Sequence, residues 1–317
     1  MLGYVLQALQ GIFTIIIVVG AGFILNRRGW FHAESGSVIS RLVTNVSLPC
    51  YLVAGLTRSF TAGELCRLAP DLLLPVLSIL LAMFVSHIVA RLLHVRKGRR
   101  GVFTTNFFIA NTVFIGLPVN LALFGDESIP AVMLYYMANT IFFWTFGVQN
   151  ILADTTGSTE AYFSRTILKK LFSPPLLGFL TALILILAEC TLPAFLRAGL
   201  SYIGNLTTPL SLLFIGIEIS RIPLRTFRFE RDIIWGLIGR FFISPLCVMT
   251  LVPFVPATPL SIKVFVMQAA MPAMTQMAIV AKSYGADSQY AAALSMITIL
   301  FGLITIPVYM TIGSVFY

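Results

Sequence analysis

Charged side chains are scarce in this sequence: they make up 10% of its 317 residues, whereas 58% are hydrophobic. A soluble globular protein carries roughly 25% charged residues, so this scarcity excludes an ordinary soluble protein. Long polar stretches are also missing, which leaves no room for a soluble domain of any size. The sequence therefore predicts an all-α polytopic membrane protein, because helices satisfy their own backbone groups within lipid.

The groups that enzymes and metal sites need are equally sparse. The chain has three histidines, and its four cysteines lack metal-type spacing. No Gly-Lys-Ser phosphate loop, paired Asp or Ser/Lys dyad lies in the apolar segments. We therefore expect no enzyme, no metal and no cofactor. A receptor without transport activity stays open as an alternative, although it would have no soluble domain through which to signal.

Apolar runs of about 20 residues, the length needed to cross the hydrocarbon core, recur along the whole chain. The predicted spans, one to ten, are Leu2–Leu25, Ser37–Leu56, Leu68–Leu93, Gly101–Phe124, Ile129–Leu152, Thr166–Ala188, Phe195–Ile219, Ile233–Phe254, Ile262–Ser283 and Gln289–Val315. The first is too long for a cleavable signal peptide and lacks the basic start of one.

The distribution of basic residues predicts the topology. Of the 21 Lys and Arg residues, 15 lie in or beside the odd-numbered loops and 4 on the other side, while Arg41 and Arg240 lie within spans. By the positive-inside rule the odd loops are cytoplasmic and both termini extracytoplasmic, in the cell membrane. The net charge of +9 is thus a topology signal, and we expect no nucleic-acid partner.

Two spans contain residues that break helices. Span four carries Asn111, Thr112, Gly116 and Pro118 within an apolar run, and span nine carries the sequence Gln268-Ala-Ala-Met-Pro-Ala-Met-Thr-Gln276. Proline removes a backbone donor and clashes one turn back, and glycine weakens the same turn. Backbone groups freed in a bilayer need partners in protein or in a water-filled cavity.

The breaks belong to a repeat at an offset of 160 residues. Asn205-Leu-Thr-Thr-Pro209 matches Asn45-Val-Ser-Leu-Pro49, and Gly285-Ala-Asp-Ser288 matches Gly125-Asp-Glu-Ser128. This predicts two five-helix repeats, residues 1–153 and 166–317, joined by a short cytoplasmic linker at 154–165. Because five is odd, the second repeat is inverted, and interrupted helices paired in inverted repeats are the best pointer to a transporter's substrate site.

These motifs resemble the auxin efflux carrier family, which includes the plant PIN proteins and many bacterial permeases. The most specific parts are Asn111-Thr-Val-Phe-Ile-Gly-Leu-Pro118 with Phe124-Gly-Asp126, and Gln268-Ala-Ala-Met-Pro272 followed by Ala281-Lys-Ser-Tyr284. Plant members often carry a long hydrophilic central loop, and the short linker here looks like that of a bacterial-type permease.

The resemblance implies a scaffold of spans 1, 2, 6 and 7 and a transport unit of spans 3–5 and 8–10. In the family, spans four and nine are unwound at prolines, matched here by Pro118 and Pro272, and cross at mid-membrane. Asn111 matches an asparagine that the family uses near the substrate. Family substrates are organic anions: auxin in plants, and carboxylates such as malonate or malate in bacteria. Plant members are dimers, so a homodimer is the assembly to test here.

The residues at the breaks suit an anion. The second half of an interrupted helix begins with free N–H groups that carry partial positive charge, and two such ends would hold an anion without a basic side chain. Asn111, Thr112, Thr275 and Gln276 would add neutral donors. The alternative is that the two amides satisfy broken backbone groups and the two threonines bond to their own helices.

Further candidates carry open alternatives too. Tyr135 and Asn139 lie four residues apart on span five and would line the cavity; interfacial anchoring competes for Tyr135 and interhelical hydrogen bonding for Asn139. Pro118 and Pro272 shape the site more than they contact a substrate. The scaffold candidates would form a hinge, a cavity wall or a simple kink; they are Asn45, Pro49, Asn205 and Pro209.

Ionisable residues bear on what drives transport. None of the 12 carboxylates lies within the two breaks, although cation coupling needs a group that binds the cation. We interpret His87 in span three as a packed, hydrogen-bonded side chain; the alternative is a group that titrates. We expect Arg240 to pair with Glu218 or a helix C-terminus. The sequence thus predicts an elevator-like carrier of small organic anions in the lipid bilayer; the alternative is a sodium- or proton-coupled symporter or antiporter of related fold.

Overall fold

The computed structural model describes residues 2–32, 34–156, 173–221 and 230–315, which fold almost entirely into helix. In chain order the α-helices are α1 (Leu2–Arg27), α2 (Ser35–Leu42), α3 (Leu48–Ser59), α4 (Ala62–Leu68), α5 (Leu73–Leu92), α6 (Arg100–Phe108), α7 (Leu117–Phe124), α8 (Ile129–Phe142), α9 (Val148–Thr156), α10 (Pro174–Leu187), α11 (Ala194–Gly204), α12 (Thr207–Ser220), α13 (Arg231–Ile238), α14 (Ser244–Leu251), α15 (Pro259–Ala269), α16 (Gln276–Ser283) and α17 (Ser288–Val315).

Wide π-type turns interrupt several of these helices at prolines. Val43–Ser47, Thr112–Gly116 and Gly239–Ile243 each end two residues before a proline, namely Pro49, Pro118 and Pro245. Proline offers no N–H to the preceding turn and pushes its carbonyl away, so the helix widens just before it. A fourth wide turn, Phe143–Gly147, has no proline after it.

Among the described residues, six helical segments are long and apolar enough to cross a membrane: Ser35–Ser59, Ala62–Leu92, Asp126–Thr155, Ala194–Ser220, Arg231–Leu251 and Ser288–Tyr309. Four shorter apolar helices overlap predicted spans one, four, six and nine: Phe13–Arg27, Thr112–Phe124, Pro174–Leu187 and Pro259–Ala269. The all-helical membrane architecture agrees with the predicted fold class. The count of ten spans and the inverted repeat stay predictions.

One group of helices packs through glycine contacts. A Cβ atom on Gly22 of α1 would lie 2.3 Å from the carbonyl oxygen of Leu213 in α12, and one on Gly216 of α12 would lie 2.0 Å from that of Val19. Small residues let membrane helices approach this closely. Helix α3 packs against α10 and α11, where a Cβ on Gly178 would meet Pro49 Cα at 2.7 Å. Span one therefore contacts span seven, and span two contacts spans six and seven.

A second group surrounds the two interrupted helices. Helix α5 packs against α6, α8 and α14, while α15 packs against α8 and α14. Every side chain of α6 from Gly101 to Phe108 is buried. Gly101 faces the backbone of Asn150 in α9, where an added Cβ would lie 2.0 Å from the carbonyl oxygen. Spans three, four, five, eight and nine therefore enclose the breaks in protein.

The predicted linker lies mostly outside the described residues. Helix α9 extends to Thr156, so Asp154 belongs to its last turn and its carboxylate accepts a hydrogen bond from the N–H of Gly101 at 2.6 Å. Residues 157–165 of the linker are not among the described residues. The matching turns Gly125–Ser128 and Gly285–Ser288 share one local feature, since Gly125 and Gly285 have φ of 67° and 74°. Glycine adopts such a conformation without strain.

Candidate functional site

The two interrupted helices meet at their breaks. Helix α6 ends at Phe108 and α15 ends at Ala269. Beyond these ends Ala110 and Ala273 pair as an isolated antiparallel bridge, and the N–H of Asn111 donates to the carbonyl oxygen of Pro272 at 2.8 Å. The extended residues of one break thus satisfy those of the other, and the second half-helices start again at Thr112 and Gln276.

Side chains from neighbouring helices complete the pairing. The amide of Asn139 accepts from the N–H of Ala110 at 2.9 Å and donates to its carbonyl oxygen at 3.1 Å. In span ten, the hydroxyl of Thr298 accepts from the N–H of Ala273 at 3.0 Å. All of these residues are buried. Unpaired backbone groups at such a position would be costly, so these two side chains make the unwound backbone tolerable.

Asn111 links the crossing to an open space. Its Oδ1 accepts from the N–H of Phe114 at 3.2 Å and so caps the turn that begins at Thr112. Within the described part of the chain, its Nδ2 donates no hydrogen bond, and the residue is 4% exposed. The amide group thus caps the helix through its oxygen and leaves its N–H groups to a cavity.

That cavity, here called the crossing cavity, has a volume of about 210 Å³. It is lined by Thr44, Asn111, Thr112, Val113, Phe114, Tyr136, Thr140, Trp144, Ser173, Pro174, Pro175, Met274, Thr275 and Gln276. None of these described lining residues is acidic or basic. The wall is apolar and aromatic with a few hydroxyl and amide groups, which is typical of small-molecule sites.

Four of the predicted substrate residues, Asn111, Thr112, Thr275 and Gln276, come together in this cavity. They sit at the first turns of the second half-helices, whose leading N–H groups have no intrahelical acceptor. The first turns of two helices thus border one small space. A developing or full negative charge is favoured at such ends.

The other predicted residues lie behind the cavity wall. Tyr135 is fully buried against Phe265, with ring centroids 6.1 Å apart. The side chain of Asn139 is hydrogen-bonded to the backbone of Ala110. Their neighbours Tyr136 and Thr140 line the cavity instead. Pro118 follows the wide turn in α7, and Pro272 packs on Gly302, where an added Cβ would lie 2.6 Å from Pro272 Cγ.

The scaffold motif marks two helix interruptions. Asn45 lies in the wide turn before α3, and Pro49 is in the first turn of that helix. Asn205 follows α11 directly, and Pro209 is in the first turn of α12. None of these four residues lines the crossing cavity, although Thr44 beside Asn45 does.

Arg240 binds the C-terminal ends of the first half-helices, α6 and α15, where the two breaks begin. Its Nη1 donates to the carbonyl oxygen of Asn106 at 3.1 Å, and its Nη2 donates to the carbonyl oxygen of Ala269 and to the hydroxyl of Ser244. Asn106 is in the last turn of α6 and Ala269 is the last residue of α15. The expected pairing of Arg240 with a helix C-terminus is therefore present, and it involves two helices, α6 and α15.

Glu218 has a different partner from the one expected. It lies 3.5 Å from Arg221, and both line a second cavity of about 440 Å³, here called the vestibule. The vestibule shares Phe114, Thr275 and Gln276 with the crossing cavity. His87 is hydrogen-bonded to the carbonyl oxygen of Met83 at 2.8 Å, as a packed histidine would be. The described residues contain no group of three or more His, Cys, Asp or Glu side chains that could hold a metal ion.

Sequence reasoning missed the polar residues that connect the two helices. Gln268 is not among the predicted substrate residues, yet its Nε2 donates to the carbonyl oxygen of Thr112 at 3.3 Å. Gly116 faces this amide so closely that a Cβ would lie 2.1 Å from Gln268 Oε1. The signal available in the sequence was the presence of a glycine in one broken span and a glutamine in the other.

Comparison with known proteins covers nearly the whole chain. A family model described as membrane transport protein matches residues 7–310. An uncharacterised transporter of Methanothermobacter thermautotrophicus is 24% identical over 304 residues, which are 95% of this chain and 96% of that protein. An uncharacterised transporter of Methanocaldococcus jannaschii is 24% identical over 310 residues, or 94% of this chain and 96% of that protein. The matched region includes both breaks.

Proposed function

The chain belongs to the family of membrane transport proteins that contains the auxin efflux carriers, and on this basis we propose that it is a secondary carrier of small organic anions. The substrate class is a carboxylate such as malonate or malate, or an auxin-like acid. The substrate binds in the crossing cavity, where Asn111, Thr112, Thr275 and Gln276 donate to its carboxylate. Pro118, Pro272, Tyr135 and Asn139 shape and support the cavity from behind.

One observation carries this proposal: the first turns of two half-helices border a cavity that has no charged side chain among its described lining residues. Helix N-termini attract anions, and their amide donors are fixed in place. A direct Arg–carboxylate pair would bind more tightly. A carrier must also release its substrate, and neutral donors suit that requirement.

The transport movement is proposed to be elevator-like. Helices of spans one, two, six and seven contact one another, and those around the breaks form a second packed group, which supports a scaffold and a transport unit that move relative to each other. The crossing cavity lies between them, since Thr44 and Pro174 come from the first group and Asn111 and Thr275 from the second. Asn45, Pro49, Asn205 and Pro209 are placed at helix interruptions of the scaffold, where a hinge would act.

The membrane potential can drive export. With the odd loops cytoplasmic and both termini extracytoplasmic, an anion that leaves a cell with a negative interior gains about 2.3 kcal/mol per charge per 100 mV. Export therefore needs no coupled cation, whereas uptake does. The proposed assembly is a homodimer in the cell membrane.

A coupled symporter or antiporter is the second candidate, and Glu218 favours it. Its carboxylate lies in the vestibule, which shares Thr275 and Gln276 with the crossing cavity. A carboxylate beside the substrate path is the kind of group that binds a coupling proton or sodium ion. In this case the flux of the anion would depend on pH or on sodium.

Thermal-shift measurements on purified protein test both candidates. Malonate, malate and an auxin-like acid are added at two pH values, with and without sodium, because a ligand that binds the folded protein raises its apparent stability. Flux into proteoliposomes under an imposed potential then separates the mechanisms. Uniport predicts anion flux that follows the potential alone. Flux that requires sodium or a proton gradient would favour the second candidate, and no stabilisation by any carboxylate would overturn the anion proposal.

A further inference from the structure

Arg240 is a fully buried cation that the proposed transport function leaves unused. Its two Nη atoms bind the carbonyl oxygens of Asn106 and Ala269, which belong to the C-terminal ends of α6 and α15. Its Nη2 also donates to the hydroxyl of Ser244. The ion pairs of the described residues involve Arg99 and Arg221, so no carboxylate there neutralises the Arg240 guanidinium.

Four helix ends meet at the crossing, and their charges oppose each other in pairs. Each helix N-terminus carries about +0.5 of an elementary charge and each C-terminus about −0.5. The two C-terminal ends together therefore carry about −1, which would cancel the attraction of the two N-terminal ends for an anion. A single guanidinium carries the charge that offsets both C-terminal ends.

We propose that Arg240 is the positioning residue that gives the crossing cavity its preference for anions. By binding both C-terminal ends, it leaves the N-terminal ends at Thr112 and Gln276 unopposed. It does so from behind the crossing, since Arg240 is not among the residues that line the cavity. The inference rests on the proposed function, because it assigns the origin of charge selectivity in the same cavity.

The geometry also explains why this residue is an arginine. The guanidinium is planar and presents several donors in a fixed fork, so it can bind two carbonyl oxygens from different helices at once. Lysine has a compact ammonium and would approach one end more closely than the other. Arg240→Lys is therefore expected to leave part of the negative charge at the crossing uncovered.

The test compares three ligands of similar shape and decreasing charge: malonate, monomethyl malonate and malonamide. Their affinities are measured calorimetrically for the wild type, Arg240→Gln, Arg240→Lys and Ser244→Ala. If the substitution changes the electrostatic potential in the cavity, the change in binding free energy scales with ligand charge. If it distorts the cavity, all three ligands lose affinity alike. We expect Arg240→Gln to lose about tenfold in affinity per ligand charge, so malonate is weakened most and malonamide least. Arg240→Lys should show the same order with smaller losses.

Ser244→Ala is the matched control, because it removes a partner of Arg240 and leaves both helix ends bound. Its ratio of malonate to malonamide affinity should equal that of the wild type. Equal losses for all three ligands, or an unchanged malonate affinity in Arg240→Gln, would overturn the inference. If Arg240→Gln is not monodisperse in detergent, an unchanged affinity ratio in Arg240→Lys would overturn it. A wild type that binds neither anion would overturn the proposed function, and this inference with it.

Discussion

The N–H of Asn111 donates to the carbonyl oxygen of Pro272 at 2.8 Å, and this bond joins two helices where both are unwound. Beside it, Ala110 and Ala273 form an antiparallel bridge. An isolated bridge of this kind satisfies few backbone groups by itself. The remaining groups depend on side chains that reach in from spans five and ten, which makes those side chains the first to test.

Loss of Asn139 should destabilise the protein more than loss of Thr298. Asn139→Leu removes the partners of both the N–H and the carbonyl oxygen of Ala110, while Thr298→Val removes one partner, that of the Ala273 N–H. Each buried group left unsatisfied costs about 1–3 kcal/mol. Thermal unfolding in detergent should therefore show a lower Tm for both variants, with the larger decrease in Asn139→Leu.

Thr145→Val is the control for these two variants. Thr145 is half-buried, and its hydroxyl donates to the carbonyl oxygen of Ile141 in its own helix rather than to another span. The Tm of Thr145→Val should therefore stay near that of the wild type. A Tm of Asn139→Leu equal to that of Thr145→Val would show that the side chain of Asn139 does not support the unwound backbone.

The close contact between Gly239 and Phe107 should make substitutions at these two positions compensate each other in size. A Cβ atom on Gly239 would lie 2.2 Å from Phe107 Cζ, and Phe107 is fully buried, so the ring has little room to move away. Overpacking of this kind costs about 1–3 kcal/mol. Gly239→Ala should lower Tm, and the smaller side chain in Phe107→Leu should recover part of the loss when the two changes are combined.

The control for this pair is Gly199→Ala, where an added Cβ meets nothing within 4 Å. This variant should unfold at or above the wild-type temperature, because alanine favours helix over glycine. If the decreases in Tm from Gly239→Ala and Phe107→Leu simply add in the double variant, direct contact between the two residues is not the cause of the destabilisation.

The positions of the breaks could be predicted from sequence because their cause is local. Pro118 and Pro272 act on the turn that precedes them, and polar residues in an apolar run are visible without any tertiary information. The repeat of Gly125 and Gly285 likewise marks turns whose backbone favours glycine. Fold class and membrane character follow from composition and the lengths of apolar runs.

Which side chains line the cavity depends on how each helix is rotated about its own axis, and the sequence does not determine this rotation. Tyr135 and Asn139 were expected in the cavity, but α8 turns Tyr136 and Thr140 towards it. Successive residues on a helix point about 100° apart, so a rotation of that size exchanges one pair for the other. Arg240 is harder still, because its partners Asn106 and Ala269 are distant in sequence and are backbone groups, which carry no residue-specific signal.

The ion pair between Asp287 and Arg99 should make stability depend on pH. Burial opposes ionisation of the Asp287 carboxyl, but the N–H of Tyr290 and the guanidinium of Arg99 donate to it and lower its pKa overall. A lowered pKa stabilises the folded protein above the unfolded pKa of about 4, and this contribution is lost as the pH falls through the folded pKa. Asp287→Asn should lower Tm at pH 7 and converge with the wild type below about pH 4.

The exposed Glu127 offers a comparison for this measurement. Glu127→Gln should track the wild type across the same pH range. If the Tm difference between Asp287→Asn and the wild type were the same at pH 7 and at low pH, ionisation of Asp287 would not be its source.

Substitutions at Asn111 should separate helix capping from substrate binding, because its two amide atoms face different partners. Asn111→Asp keeps an oxygen for the N–H of Phe114 but replaces the donor that faces the cavity with negative charge. At pH 8 we expect a Tm near that of the wild type and a loss of at least about tenfold in malonate affinity. Asn111→Ala removes both atoms, so it should lower Tm and affinity together.

Asn120→Ala is the opposite control: it removes the bond from Asn120 to the carbonyl oxygen of Gly116 and should lower Tm while malonate still binds. Wild-type malonate affinity in Asn111→Asp would remove Asn111 from the substrate site, because an anion could not approach a carboxylate there without loss.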